Sequence, residues 1–184
     1  GHNKDNILSK DVVVISSAIK QDNIEVICAK DLNIPIIKRA EMLAELMRFS
    51  YGIAVAGTHG KTSTTSIVSH ILNEANYDPT YIIGGKLINA GNSKLGSSDY
   101  LIAEADESDA SFLHLQPLMS LITNIDKDHL ENHQNSFDIL KKNFLEFINN
   151  LPFYGLCLLN LNDINTKSII SKISRPVKTY GIDI

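Results

Sequence analysis

With 184 residues, 43% of them hydrophobic and 21% charged, and a net charge of −4, the chain has material for a packed core and no broad basic surface, which argues against nucleic acid as a main partner. No stretch approaches the roughly 20 apolar residues of a membrane span and no signal peptide is present, so a cytoplasmic location without a membrane partner is expected. Cys28 and Cys157 sit in apolar runs without metal-ligand spacing and read as buried free thiols of a reducing compartment.

The chain begins at Gly1 rather than at a methionine, which suggests a processed, tagged or partial chain, and its length fits one large domain or parts of two. Asp11 to Ser17 is a continuous β-branched run, the pattern of a strand buried on both faces. Residues 22 to 32 read as a short helix, although Ile24 to Ile27 also passes for strand. A short strand is expected at Ile34 to Ile37 and a helix at Arg39 to Phe49, where Met42, Leu43, Leu46 and Met47 recur at helical spacing. This β-α-β-α opening ends at Ser50-Tyr51-Gly52, the expected boundary between residues 1–50 and 51–184.

The second section starts with the apolar run Ile53-Ala54-Val55-Ala56, which leads into Gly57-Thr58-His59-Gly60-Lys61-Thr62-Ser63 and then a helical pattern from Ser66 to Ala75. A buried strand, a glycine turn and a helix N-terminus make an anion site, because unpaired N–H groups and the positive end of the helix dipole face the turn. Lys61 adds a point charge, and the Thr62 hydroxyl can reach a magnesium ion. The general nucleotide loop G-x-x-x-x-G-K-[ST] would need glycine where Val55 stands, so only the shorter Gly57-x-x-Gly60-Lys61-Thr62 is present. Further strands are expected at Thr80 to Ile83, Tyr100 to Ala105, Leu118 to Ile125, Gly155 to Leu161 and Pro176 to Gly181, with a loop from Gly84 to Ser98. Helices are expected at Ser136 to Asn149, with Ser136 as N-cap, and around Ile164 to Ile173. Strands alternating with helices predict an α/β fold with a mostly parallel sheet and ligands at strand C-terminal ends.

Three of those ends carry polar residues: Lys61 and Thr62; Glu104 with Asp106-Glu107-Ser108-Asp109; and Asn124, Asp126, Asp128 and His129. Magnesium on a nucleotide takes oxygen ligands, typically one or two carboxylates with water. Glu104 interrupts an apolar strand and needs a partner or a metal. Taken alone, Asp106, Glu107 and Asp109 read as a solvated loop, His129 as a surface or helix-capping histidine, and Asp126 and Asp128 as helix caps. His2, His70, His114 and His133 carry no special expectation, and no G-x-S-x-G supports a hydrolase.

Gly57-Thr58-His59-Gly60-Lys61-Thr62, the run Ala103 to Leu113, and Thr123-Asn124-Ile125 with Asp128-His129 closely resemble the Mur ligases of bacterial cell-wall synthesis. The resemblance also covers Ser16-Ser17-Ala18-Ile19, Arg39 to Arg48 and Leu151-Pro152-Phe153-Tyr154-Gly155, and the short GxxGKT loop is that family's own form. It implies a P-loop ATP-binding domain preceded by the end of a Rossmann-like UDP-binding domain, with a third, amino-acid-binding domain outside these residues. The implied reaction activates the lactyl carboxylate of UDP-N-acetylmuramate with ATP and magnesium as an acyl phosphate, which the amine of L-alanine attacks. The resemblance assigns Lys61 to the β- and γ-phosphates, Thr62 to a first magnesium, Glu104 to a bridge between two magnesium ions and His129 to the second. It sets His59, Asp106, Ser108 and Asn124 near the muramoyl end and turns Ser16 and Ser17 toward the UDP-sugar. Alternatives are another acceptor, such as murein tripeptide or folate polyglutamate, and a non-catalytic nucleotide-binding fragment.

Overall fold

The computed structural model describes residues 1–16, 18–84, 91–108, 110–128 and 130–182 and divides the chain into two units, Gly1–Glu45 and Leu46–Ile184. In the first, β1 (Val13–Ile15) pairs in parallel with β2 (Ile36–Lys38), and α1 (Ile24–Asp31) forms the crossover between them. Asn23 caps α1 by accepting from the Glu25 N–H, which settles the helix-or-strand ambiguity of residues 24 to 27 in favour of helix. Ile7, Cys28 and Ala29 form a small core with Val13, Ile34 and Ile36 against it. The expectation that β1 is buried on both faces is corrected: the run shortens to three residues, and Val14 is 41% exposed. A β-branched sequence indicates a strand, but burial depends on what covers it.

α2 (Arg39–Arg48) leads into the second unit, where β3 (Tyr51–Ala56) is followed by α3 (Lys61–Glu74), β4 (Thr80–Ile82), β5 (Ser93–Lys94) and β6 (Tyr100–Glu104). The chain continues through β7 (Met119–Ile122), α4 (Phe137–Asn149), β8 (Leu156–Asn160), α5 (Ile164–Ile169) and β9 (Val177–Tyr180). Among the described residues these strands form a seven-stranded sheet in the order β5-β4-β6-β3-β7-β8-β9, parallel except for β5. β3 lies at the centre, between β6 and β7, so the three strands expected to carry polar ends are immediate neighbours. Strands are laid down on both sides of β3, and the crevice at such a reversal is where open α/β sheets bind ligands.

The three central strands are sealed from water by Ala54, Val55, Ala56, Ile102, Ala103 and Ile122, all fully buried. α4 starts where the sequence suggests, with the Ser136 hydroxyl capping the Ile139 N–H, and buries Leu140, Phe144, Phe147 and Ile148. Phe112, in the 3-10 turn Ser111–His114, packs its ring 5.3 Å from Phe144 and 4.9 Å from Phe147. The acidic run before Phe112 is thereby tied to the core. α3 begins at Lys61 rather than at Ser66, because its first turn is polar and faces the glycine loop, where apolar periodicity gives no signal.

β5 falls in the stretch expected to be loop and is held by a polar hub. The Asp78 carboxylate accepts from Lys94 Nζ at 2.6 Å and from the Ser97 N–H and hydroxyl at 2.9 and 2.8 Å. The hydrogen bond from Lys94, followed by those from Ser97, holds the Asp78 carboxyl down at about 2 against an ordinary 3.8. A carboxyl lowered on folding stabilises the fold above its unfolded pKa, and that contribution is lost as pH falls through the folded value. Urea unfolding of Asp78→Asn beside the parent should therefore show a stability deficit near pH 7 that narrows steadily below about pH 4. A deficit independent of pH would show that Asp78 acts through shape alone.

Candidate functional site

Gly57 leaves β3 with φ +139°, and Gly60 enters α3 with φ +81°. A Cβ on Gly57 would overlap the Thr123 hydroxyl and stand 3.0 Å from the Asn124 carbonyl. Because that space is empty, the segment after β7 closes directly on the glycine loop. The Thr123 hydroxyl and the Asn124 side-chain amide both donate to the His59 carbonyl, at 2.7 and 2.9 Å. In return the His59 N–H donates to Asn124 Oδ1 at 2.9 Å, and the Thr58 N–H to the Asn124 carbonyl at 3.1 Å. The Asp126 N–H donates to the Thr58 hydroxyl at 2.8 Å. No side-chain hydrogen bond caps the N-terminus of α3 at Gly60, so the first-turn N–H groups of Lys61, Thr62 and Ser63 remain available to an anion.

The clamping segment is braced from behind as well. Asn160 and Asn165 donate their side-chain amides to the Thr123 and Ile125 carbonyls, each at 2.8 Å, and Asp163 Oδ1 accepts from the Ile125 N–H at 3.3 Å. Asp163 also caps α5 through the Thr166 N–H. These bonds fix the register of the loop relative to its neighbours.

Lys61 Nζ donates to the Gly57 carbonyl at 2.8 Å and reaches both Glu107 carboxylate oxygens, at 3.0 and 2.8 Å, with the Thr58 carbonyl farther away at 3.4 Å. One residue on, the Thr62 hydroxyl donates to Glu104 Oε2 at 3.3 Å. Among the described residues, Glu104 Oε1 is buried with no hydrogen-bond partner. A buried, unpaired carboxylate oxygen is costly, and a hydroxyl plus a carboxylate oxygen is the donor set a magnesium ion takes. Gly84 leaves the room that Glu104 occupies, since a Cβ there would stand 3.0 Å from Oε2. The residues present fit a divalent cation at this point.

The remaining candidates separate into three groups. His59 Nε2 lies 3.7 Å from Asp126 Oδ2 on well-exposed side chains at the mouth of the loop. Asp106 Oδ1 accepts from the Ser108 N–H at 3.0 Å, so these two close their own turn beside Glu107, and Asn124 spends its amide on the loop. Ser16 lies in the first unit, where its carbonyl accepts from the Ile19 N–H. Ser17, Asp109 and His129 lie outside the described residues.

One reading made from the sequence is corrected here, and one histidine without a special expectation proves buried beside the site. Glu107 is not part of a solvated loop: it is 1% exposed and is the carboxylate partner of Lys61. His133 is 1% exposed, its Nε2 is 2.8 Å from the Glu107 carbonyl, and its Nδ1 is 2.9 Å from Asn143 Nδ2. No sequence signal marked either residue, because both depend on burial that the packing of Phe112 on Phe144 and Phe147 brings about.

Comparison with known proteins shows the family. The sequence matches the Mur ligase middle domain over residues 55–184 and the Mur ligase family catalytic domain over residues 1–51. It is 61% identical over 183 residues to the UDP-N-acetylmuramate–L-alanine ligase of Ruthia magnifica, covering 99% of this chain and 39% of that protein. The same-named ligase of Dichelobacter nodosus is 56% identical, with 98% of this chain and 38% of that protein covered. The chain thus spans well under half the length of these relatives. Among solved structures, the UDP-N-acetylmuramate–alanine ligase of Thermotoga maritima superimposes with a TM-score of 0.82 at 29% identity, over 100% of this chain and 41% of its own. A murein peptide ligase of Psychrobacter arcticus gives 0.79 at 25% identity, over 97% and 42%.

The close approach at Gly57 makes a direct test. Gly57→Ala should lower unfolding stability by about 2 kcal/mol or more, because the new methyl must push Thr123 and Asn124 off the loop. Denaturant unfolding measures it, and a loss under about 0.5 kcal/mol would show that the clamp gives way freely.

Proposed function

The chain belongs to the Mur ligase family, and from that premise we propose that the protein joins L-alanine to the lactyl carboxylate of UDP-N-acetylmuramate using ATP and magnesium. The observation that carries the reading is the meeting of Lys61, Thr62 and Glu104 at adjacent strand ends beside a glycine loop with open N–H groups. The names of the 61% and 56% identical relatives support the choice of acceptor. Residues 1–50 would contribute the end of the UDP-sugar-binding domain, with Ser16 and Ser17 toward that ligand. Residues 51–184 would form the first part of the ATP-binding domain. The amino-acid-binding residues are assigned to the length of the relatives that this chain does not span. Among the described residues no helix is long and apolar enough to cross a membrane, and a cytoplasmic setting fits the reading.

The chemistry follows from charge and placement. The first-turn N–H groups and the Lys61 ammonium hold the β- and γ-phosphates, where a helix N-terminus and a cation both favour negative charge. Thr62 and Glu104 would hold the first magnesium, with Glu104 shared with a second ion and His129 assigned to that ion by family resemblance. Bound there, magnesium would neutralise charge on the transferring phosphoryl group. A carboxylate oxygen of the acceptor attacks the γ-phosphorus, the bond to the β-phosphate oxygen breaks, and ADP leaves. The amine of L-alanine then attacks the acyl phosphate carbonyl, loses a proton and expels inorganic phosphate. Most of the rate enhancement comes from positioning and fixed charge. His59, Asp106, Ser108 and Asn124 are assigned to the acceptor side, with Asn124 acting there through the loop it clamps.

Calorimetric titration of the intact protein with ATP tests this. Lys61→Ala should weaken binding at least about 30-fold, the scale of truncating one partner of a buried, hydrogen-bonded charge pair. Chelating magnesium should weaken binding to the parent, and Glu104→Gln should erase that magnesium dependence. Phosphate release should require L-alanine in an amino-acid panel. ATP binding indifferent to both Lys61 and magnesium would refute the reading.

A further inference from the structure

We infer that Glu107 is a positioning residue that aims the Lys61 ammonium, its main chain held in place through buried His133 and half-buried Asn143. The inference rests on the reading of Lys61 as a phosphate ligand and adds a role for residues that reading leaves out. An ammonium has three N–H groups. Four acceptor atoms surround Lys61 Nζ: two Glu107 oxygens at 3.0 and 2.8 Å, the Gly57 carbonyl at 2.8 Å and the Thr58 carbonyl at 3.4 Å. The Thr58 contact is the weakest. A phosphate oxygen can take that third N–H while Glu107 and Gly57 keep the other two and fix the direction in which it points.

Glu107 can aim the lysine only if it is fixed independently of the loop. Its carbonyl accepts from the Ala110 N–H at 3.0 Å and lies 2.8 Å from His133 Nε2. A carbonyl can only accept, so Nε2 carries the proton, and Nδ1, bare in the neutral ring, accepts from the Asn143 amide at 2.9 Å. Asn143 stands on α4, next in sequence to Phe144, whose ring packs on Phe112. The Glu107 main chain is therefore tied to the aromatic core, so its side chain starts from a fixed point, whereas the lysine it holds belongs to the ligand loop. An acid 1% exposed is an expensive way to fill space, and the end of a lysine side chain is otherwise loosely held. A group of this kind raises the rate of phosphoryl transfer more than it raises affinity, because removing its charge also removes a repulsion toward ATP.

The test is steady-state kinetics and ATP calorimetry on the intact protein. Glu107→Gln keeps the shape and loses the charge. It should lower kcat by about 10- to 100-fold while the KM and Kd for ATP move less than about 3-fold. Glu107→Asp, which keeps the charge, should recover part of the lost kcat. Asn143→Leu leaves Lys61 and Glu107 untouched and cuts the far end of that tie. It should lower kcat by about 3- to 10-fold with ATP KM unchanged, and it decides the matter if Glu107→Gln does not fold. A purely structural role would lower the melting temperature and leave kcat per folded molecule intact, which overturns the inference. If Lys61→Ala leaves ATP binding intact, the phosphate-binding reading fails and the inference falls with it. If Lys61→Ala abolishes binding but Glu107→Gln and Asn143→Leu keep the parental kcat, the inference alone fails.

Discussion

The closure of the segment after β7 onto the glycine loop is the constraint from which the rest of the site follows. It requires that Gly57 carry no side chain, because Thr123 and Asn124 occupy the space a methyl would take. Once they are seated, their side chains and backbone satisfy the Thr58 N–H and both backbone groups of His59. The loop then has little polar backbone left to pair within itself, and the start of α3 is held in one orientation relative to the sheet. A loop of this composition would otherwise have many conformations, and its ordering entropy would have to be met by the ligand. Here it is met largely by hydrogen bonds formed during folding.

Charge is arranged around that loop in two layers. Lys61 is paired with Glu107 on the core side. Thr62 is paired with Glu104, which keeps one buried oxygen unmatched among the described residues. The first pair is neutral as it stands, whereas the second presents a spare negative oxygen. On the proposed reading, an incoming magnesium nucleotide would meet N–H groups and an ammonium for its phosphates, and a carboxylate for its metal. A buried ion pair adds little net stability on its own, so the Lys61–Glu107 pair is better understood as fixing direction than as holding the fold together.

The parts of the fold carried by repeating patterns were legible in the sequence. The central strands and α4 show the apolar runs and 3.6-residue periodicity that core packing imposes, and the alternation of strand and helix was enough to predict a mostly parallel sheet. β5 was not legible, since two residues held by Asp78 leave no pattern. Within the site, Lys61, Thr62 and Glu104 could be named because their residue types are unusual at strand ends, and the structure brings them together. Glu107 and His133 could not be, because their importance depends on burial, and an acidic run looks the same whether or not Phe112 draws it inward. The bracing carried out by Asn124, Asn160 and Asn165 was equally hidden, since asparagine in a loop is ordinary until its partners are known.

The central claim is that three neighbouring strand ends hold one triphosphate together with its metal. A crystal of the intact protein grown with manganese, standing in for magnesium, and a non-hydrolysable ATP analogue tests it most directly. The account predicts an anomalous peak about 2.1 Å from both the Thr62 hydroxyl and a Glu104 carboxylate oxygen, with a γ-phosphate oxygen about 2.9 Å from Lys61 Nζ. An ion coordinated away from Glu104, or phosphates seated off the Gly57–Gly60 loop, would contradict it.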